Sequence, residues 1–179
     1  MKVLTPSRVI AAIAVTGLVL TLGVAFASAG GSTAESATAK ESKACVHGKA
    51  LLERNKRNVV AYYTMAFNDR EPEQAVALYG GAEYIQHNPL ADNGFEAFID
   101  FVNTFTAIFP DIHIDIRRVV AECDLVVTHG LLTGAVPAFG PRGSKVADVF
   151  RLDEDGKIVE HWDVLAQISE SSLNGNPEV

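Results

Sequence analysis

Three ionisable side chains stand inside otherwise apolar, alternating runs late in the chain. Asp148 lies in 146–152, and His161 and Asp163 lie in 157–165. A carboxylate and an imidazole brought together are acid–base equipment, and two neighbouring carboxyls settle into one acid and one base. Asp163 is the leading candidate for a general base, because desolvation in an apolar pocket strengthens a carboxylate in that role. His161 is a candidate proton shuttle, or a donor to a carbonyl oxygen. Asp148 is their candidate partner. Each has a structural alternative. Asp163 could bond to backbone or Arg151, and Asp148 could pair with His161 simply to hold two strands together.

These residues need a frame that points them the same way. Residues 144–167 read as two strands joined by a tight turn at Asp153-Glu154-Asp155-Gly156, and Asp-Gly between alternating runs is a strong hairpin signal. With a loop of two or four residues, Asp148, His161 and Asp163 share one sheet face. A two-residue loop pairs Asp148 with Asp163, and a four-residue loop pairs it with His161. A three-residue loop breaks the parity unless a bulge restores it. Trp162 has the opposite parity and is expected to face away.

Upstream, helical spacing predicts a helix over 50–67. A second short helix opens on Pro72 and stops at Gly80-Gly81. A short strand over 84–87 closes at Asn88-Pro89. Residues 95–109 form a helix with a Phe-rich stripe (Phe98, Phe101, Phe105, Phe109), and Pro110 stops it. Strands follow over 111–121 and 125–132, then a Gly- and Pro-rich loop over 133–143. Helices come early and strands late, so the fold class is α+β: a strongly bent, mostly antiparallel sheet wrapped around the N-terminal helices, with a cavity on its concave side.

Composition narrows the partners. The 179 residues are 48% hydrophobic, enough for one domain with a core. The formal charge is −7 and becomes −9 without residues 1–29, which hold Lys2 and Arg8 and no acids. That argues against nucleic acid or an anionic membrane surface as partner. Residues 1–29 read as an export signal, with two cations, an apolar run over 9–26 and a small-x-small site at Ala27-Ser28-Ala29. Cleavage after Ala29 is the first choice and after Ala27 the second, with a retained signal anchor as the alternative. Once the signal is removed, no stable membrane embedding is expected. Residues 30–47 read as a disordered linker, 48–168 as the folded domain and 169–179 as a flexible tail. In an exported chain Cys45 and Cys123 either form a disulfide or remain two thiols.

The other histidines differ by position. His87 ends a strand beside a loop and is a fourth catalytic candidate. His129 is mid-strand and can face either way, His113 sits on a solvated face, and His47 lies near the linker. His87, His129, His161, Asp148 and Asp163 could converge on a metal, but no helical His-x-x-x-His or similar ligand motif is present, so the residues are read without one.

The segments Tyr84-Ile85-Gln86-His87-Asn88-Pro89, Phe109-Pro110-Asp111, Asp124-Leu125-Val126-Val127, Asp148-Val149-Phe150-Arg151-Leu152 and 156–164 (GKIVEHWDV) resemble the SnoaL-like branch of the nuclear transport factor 2-like superfamily. The resemblance covers about 49–167. It implies a cone fold, relationship to polyketide cyclases and predicted aldol-condensation chemistry without metal or organic cofactor. It places the acid/base at Asp163, polar pocket residues at Asp148 and His161, and a pocket-facing strand end at His87-Asn88. Candidate ligand contacts are Asn88, Tyr63, Phe105, Phe150 and His129. It also implies a homodimer formed through the sheet and a small-molecule ligand. Three functional readings follow: a cyclase- or isomerase-type enzyme, a binding module without turnover, or a structural dimer with a filled cone.

Overall fold

The structure, a computed structural model, describes residues 48–179. The expected signal segment, the linker, Cys45 and His47 lie outside the described residues.

Helix α1 (Lys49–Tyr63) runs into a π-helical turn (Thr64–Asn68) and then α2 (Pro72–Tyr79). Strand β1 (Gly80–Gln86) leads to α3 (Phe95–Ile108), and β2 (His113–Glu122) and β3 (Leu125–Thr133) follow. A single helical turn, α4 (Val136–Phe139), precedes β4 (Ser144–Leu152) and β5 (Ile158–Gln167). The first helix is thus shorter than its apolar spacing predicts. Its last residues form a wider π turn, which keeps Ala66 and Phe67 buried alongside Val59, Tyr62 and Tyr63. The 133–143 loop contains a helical turn rather than open coil, and its Phe139 packs edge-on against Phe105.

The five strands form one sheet in the order β1-β5-β4-β3-β2. Only the β1–β5 pairing is parallel; the others are antiparallel. The fold is α+β, a curved mixed sheet packed against helices. Burial alternates strictly along β4, where Ser144, Val146, Asp148, Phe150 and Leu152 face inward and the intervening residues are half-buried. The inner face meets the helices through Tyr62, Tyr63, Phe67, Phe98 and Phe105. An aromatic in that position buries 150–250 Å² of area, so this interface supplies most of the driving force.

The hairpin turn is of the kind that breaks parity, and a bulge repairs it. Asp153 N–H bonds to Lys157 O at 2.8 Å, which leaves Glu154, Asp155 and Gly156 as a three-residue loop. Leu152 then pairs with Ile158 but Arg151 with Glu160, so Val159 is the extra residue of a β-bulge. The register beyond it pairs Asp148 with Asp163. Gly156 has φ +77°, which disfavours any residue with a Cβ, and a Cβ there would also meet Arg54 Nε at 2.5 Å. The turn is fixed from above by α1. Arg54 Nη2 donates to Glu154 O at 3.0 Å, and Asn58 Nδ2 donates to Gly156 O at 2.8 Å.

The C-terminal segment, expected as a flexible tail, makes specific contacts. Lys145 pairs with Glu178, Ser169 N–H donates to Glu178 Oε1 at 2.8 Å, and Arg117 Nη1 donates to Val179 O at 2.9 Å. Lys145 lies on the outer sheet face, so the segment returns across that face, guided by charge pairs that a hydropathy reading does not weigh. No helix among the described residues is long and apolar enough to cross a membrane.

Candidate active site

The inner face of the β4–β5 hairpin carries Asp148, Phe150, His161 and Asp163. Asp148 and His161 are each only 3% exposed, whereas Asp163 is half-buried. One ligand-type atom from each of Asp148, His161 and Asp163 lies within 4.8 Å of the others. Burying such groups is costly unless each is hydrogen-bonded, and here each is.

Asp148 Oδ2 accepts the Thr128 hydroxyl at 2.9 Å, and Oδ1 accepts the Tyr63 hydroxyl at 3.2 Å. His161 Nε2 lies 2.8 Å from the Tyr63 hydroxyl and 3.3 Å from Asp148 Oδ1. On its other side, His161 Nδ1 lies 3.0 Å from Gln86 Oε1. That contact fixes the tautomer. Gln86 Oε1 also accepts the Asn88 backbone N–H at 2.9 Å, and a backbone N–H can only donate. The Gln86 atom is therefore the carbonyl oxygen, Nδ1 carries the proton, and Nε2 faces Tyr63 and Asp148.

Asn88 ties the third group in. Its Nδ2 donates to Asp163 Oδ2 at 2.6 Å, and its Oδ1 accepts Leu90 N–H at 2.8 Å in an Asx turn. Asp163 Oδ1 makes no hydrogen bond among the described residues.

Aromatic rings line the cluster. Phe150 lies opposite His161 in register, with centroids 4.9 Å apart, and Tyr63 meets Phe150 edge-on at 4.9 Å. Burial, and after it the Asp148 charge, push the Tyr63 phenol well above its ordinary pKa, so it stays a neutral donor. Tyr84 is pushed up for the same two reasons, and its hydroxyl accepts Gln86 Nε2 at 3.2 Å. Tyr62 is raised chiefly by burial, and its hydroxyl is buried without a hydrogen-bond partner among the described residues.

The structure thus brings Asp163, His161, Asp148, Tyr63, Phe150 and Asn88 together. Three other candidates stand elsewhere. His87 is on the outer face, stacked on Trp162 at 4.6 Å and 6° and paired with Glu160 at 2.8 Å. Gln86 pairs with His161 across the parallel β1–β5 ladder, so Gln86 takes the inner position and its neighbour turns outward. His129 is also outward, because Thr128 is the residue opposite Asp148; His129 Nδ1 lies 3.1 Å from Arg118 Nη1. Phe105 shares the inner core, but its ring contacts are with Phe101, Phe109 and Phe139 and not with the polar cluster. Gln86 and Thr128 were missed. Thr128 carried a signal, since it pairs with Asp148 whenever β3 and β4 run antiparallel in this register. Gln86 had only its place in the Tyr84–Asn88 segment.

The family model for the SnoaL-like domain matches residues 59–161, more than half of the chain. This chain belongs to the SnoaL-like family. Solved structures with the same fold include a candidate polyketide cyclase from Acidithiobacillus ferrooxidans, 22% identical over 63% of this chain and 87% of its own, with a TM-score of 0.53. A candidate SnoaL-like polyketide cyclase from Jannaschia is 21% identical over 66% and 90%, with a TM-score of 0.54. A candidate isomerase of the SnoaL-like family from Agrobacterium tumefaciens is 15% identical over 65% and 98%, with a TM-score of 0.50. At these identities the likeness establishes the nuclear transport factor 2-like cone fold of the SnoaL-like protein. No curated protein matches it.

Proposed function

We propose that this SnoaL-like protein is an acid–base enzyme of the cyclase or isomerase type, acting on a small carbonyl compound, with Asp163 as the base. The observation that carries this reading is the asymmetry of Asp163: Oδ2 is held by Asn88 at 2.6 Å, while Oδ1 has no hydrogen-bond partner among the described residues. A carboxylate fixed by one oxygen presents the other in a defined direction.

In the proposed step, Asp163 Oδ1 takes a proton from carbon next to a carbonyl. The C–H bond breaks, an O–H bond forms, and the electron pair moves to the carbonyl oxygen as an enolate. Tyr63, kept neutral by burial, turns its one hydroxyl proton from Asp148 Oδ1 to that oxygen. Return of the proton at another carbon is isomerisation; attack of the enolate carbon on a second carbonyl is aldol closure. The resemblance to cyclases and isomerases supports the reaction class only as analogy from the fold. Export and homodimer formation remain part of the proposal, the latter supported by Val120 and Val164, which are 61% and 72% exposed on the outer sheet face.

A second reading has its own observation. Asp148 and His161 are buried and fully hydrogen-bonded, as a purely structural pair would be, which suits a pocket that holds a ligand without turnover. Deuterium incorporation next to the carbonyl of a panel of β-keto esters and cyclic ketones, followed by NMR in D₂O with EDTA present, separates the two. The enzyme reading expects exchange that Asp163→Asn reduces by ~10²-fold or more. Exchange equal in wild type and Asp163→Asn removes Asp163 as the base, and ligand-induced shifts without exchange favour the binding module.

A further inference from the structure

Each polar group of the inner cluster is held from behind. His161 Nδ1 is bound to Gln86 Oε1, Asp148 Oδ2 to Thr128, and Asp163 Oδ2 to Asn88. In front stand one imidazole nitrogen and two carboxylate oxygens, with the Tyr63 hydroxyl 2.8 Å from the nitrogen and 3.2 Å from Asp148 Oδ1. That is how protein metal ligands are arranged: the far atom of each ligand is hydrogen-bonded, which fixes its orientation and raises its basicity. The spacing fits for one pair, and all three groups offer an atom within 4.8 Å of the others. His161 Nε2 and Asp148 Oδ1 are 3.3 Å apart. Tetrahedral zinc with bonds of ~2.0–2.1 Å places neighbouring ligand atoms ~3.3–3.4 Å apart.

Charge points the same way. Asp148 and Asp163 are directly opposed in the antiparallel register. Like charges in that position repel, and burial strengthens the repulsion. The two cations of β4, Lys145 and Arg151, each lie three residues from Asp148 and are committed on the other face to Glu178 and Glu160. A proton shared within the cluster relieves the repulsion by one charge; a divalent cation relieves it by two.

We propose that the inner face is a divalent-cation site of the zinc class, with His161 Nε2, Asp148 Oδ1 and Asp163 Oδ1 as ligands. The cation displaces the Tyr63 contact with Nε2, while the Tyr63 hydroxyl continues to donate to Asp148 Oδ1. The fourth position opens on the half-buried Asp163 side, where water completes the tetrahedron. One imidazole with two carboxylates suits zinc better than magnesium, which favours oxygen ligands in an octahedron and keeps several waters. The cation uses the lone pairs that proton transfer needs. In the acid–base reading it is therefore an inhibitor competing with the proton, a regulation that rests on that reading; the binding itself does not.

The experiment is calorimetric titration of the EDTA-stripped full chain with Zn²⁺ at pH 7, alongside NMR of the histidine imidazoles. The expected result is one equivalent per chain whose affinity falls at least ~10-fold in Asp163→Asn and ~10–100-fold in Asn88→Ala, which leaves all three ligands but releases one. His87→Ala, which dismantles the outer His87–Glu160 pair, should leave that equivalent intact. An equivalent retained in Asp163→Asn but lost in His87→Ala overturns the proposal, as does the absence of any heat at 100-fold excess zinc. Should both inner variants unfold, the wild-type spectra decide: zinc must shift the His161 imidazole, and an unmoved His161 overturns the site. Zinc binding is read without substrate and proton exchange is read in EDTA, so either result can fail without the other.

Discussion

Strand β5 takes part in two histidine–carboxylate pairs, one on each face. On the inner face His161 meets Asp148 at 3.3 Å, with both side chains nearly inaccessible. On the outer face His87 meets Glu160 at 2.8 Å, with the histidine side chain 41% exposed and the carboxylate 13%. The outer contact is the shorter, yet distance is the weaker guide to its importance. Water screens the outer pair and can replace either partner. The inner pair has only Tyr63, Thr128 and Gln86 to satisfy it, so each partner depends on the others. Two adjacent strands with similar chemistry therefore yield a rim ornament on one side and an interdependent cluster on the other.

The comparison can be broken at its strongest point first. His161→Ala leaves a cavity and strips the imidazole from the buried Asp148 carboxylate, the Tyr63 hydroxyl and Gln86 Oε1, and the expected loss is ~3–5 kcal/mol of unfolding free energy in urea. A loss below ~1 kcal/mol would mean that the inner pair is no more than an exposed one. Next comes Gln86→Leu, which strips the acceptor from both His161 Nδ1 and the Asn88 N–H. A buried donor left unmade costs ~1–3 kcal/mol, and the His161 tautomer should also redistribute, visible in its ¹⁵N shifts. If those shifts stay put, Gln86 does not set the tautomer.

Smaller effects are expected outside. His87→Ala should cost under ~1 kcal/mol, as is usual for exposed pairs. The outer pair also has a pH signature. Burial pushes the Glu160 carboxyl up, but hydrogen bonds from His87 and Arg151 outweigh it, and the group sits below its ordinary 4.5. A folded value below the unfolded one stabilises fully above pH 4.5 and loses that contribution as pH falls through the folded value. Glu160→Gln should accordingly flatten the acid limb of stability against pH; an unchanged limb would count against the pair. Least of all in energy is the tail contact. Lys145 and the Ser169 N–H hold Glu178 at about 2. By the same sign, the contact's contribution is complete above pH 4.5 and fades as pH falls toward about 2, so limited pepsin digestion should free the C-terminal segment more readily at pH 2 than at pH 4; equal release at both would argue otherwise.

Much of the cluster was legible because strand alternation is a local rule. Asp148, His161 and Asp163 are related by counting along a hairpin, and Trp162 by the same count faces away. The loop length was not legible, but the three-residue turn and the Val159 bulge compensate each other, so the face assignment survived. His87 and His129 failed for different reasons. Run 125–132 is apolar on both faces, so alternation does not say whether Thr128 or His129 is inside. His87 depends on a parallel pairing between strands more than 70 residues apart, and nothing local to 84–88 reveals which residue stands beside His161. The Tyr63 hydroxyl reaches the cluster from α1, across 85 residues to Asp148 and 98 to His161. Its helix position was readable, but its hydrogen bonds were set by docking.

The bulge at Val159 has a consequence for how this chain can change. A hairpin has something like a reading frame of two: one extra residue in a strand exchanges the inner and outer sets beyond it unless a bulge sets that residue aside. This chain already carries one odd step in the loop and a second at Val159, which the bulge sets aside. Deleting Val159 alone removes the bulge without moving the register, so Phe150 should stay opposite His161 and Asp148 opposite Asp163, whereas one residue inserted between Glu160 and His161, with no bulge to absorb it, should turn His161 toward water and Trp162 toward the helices.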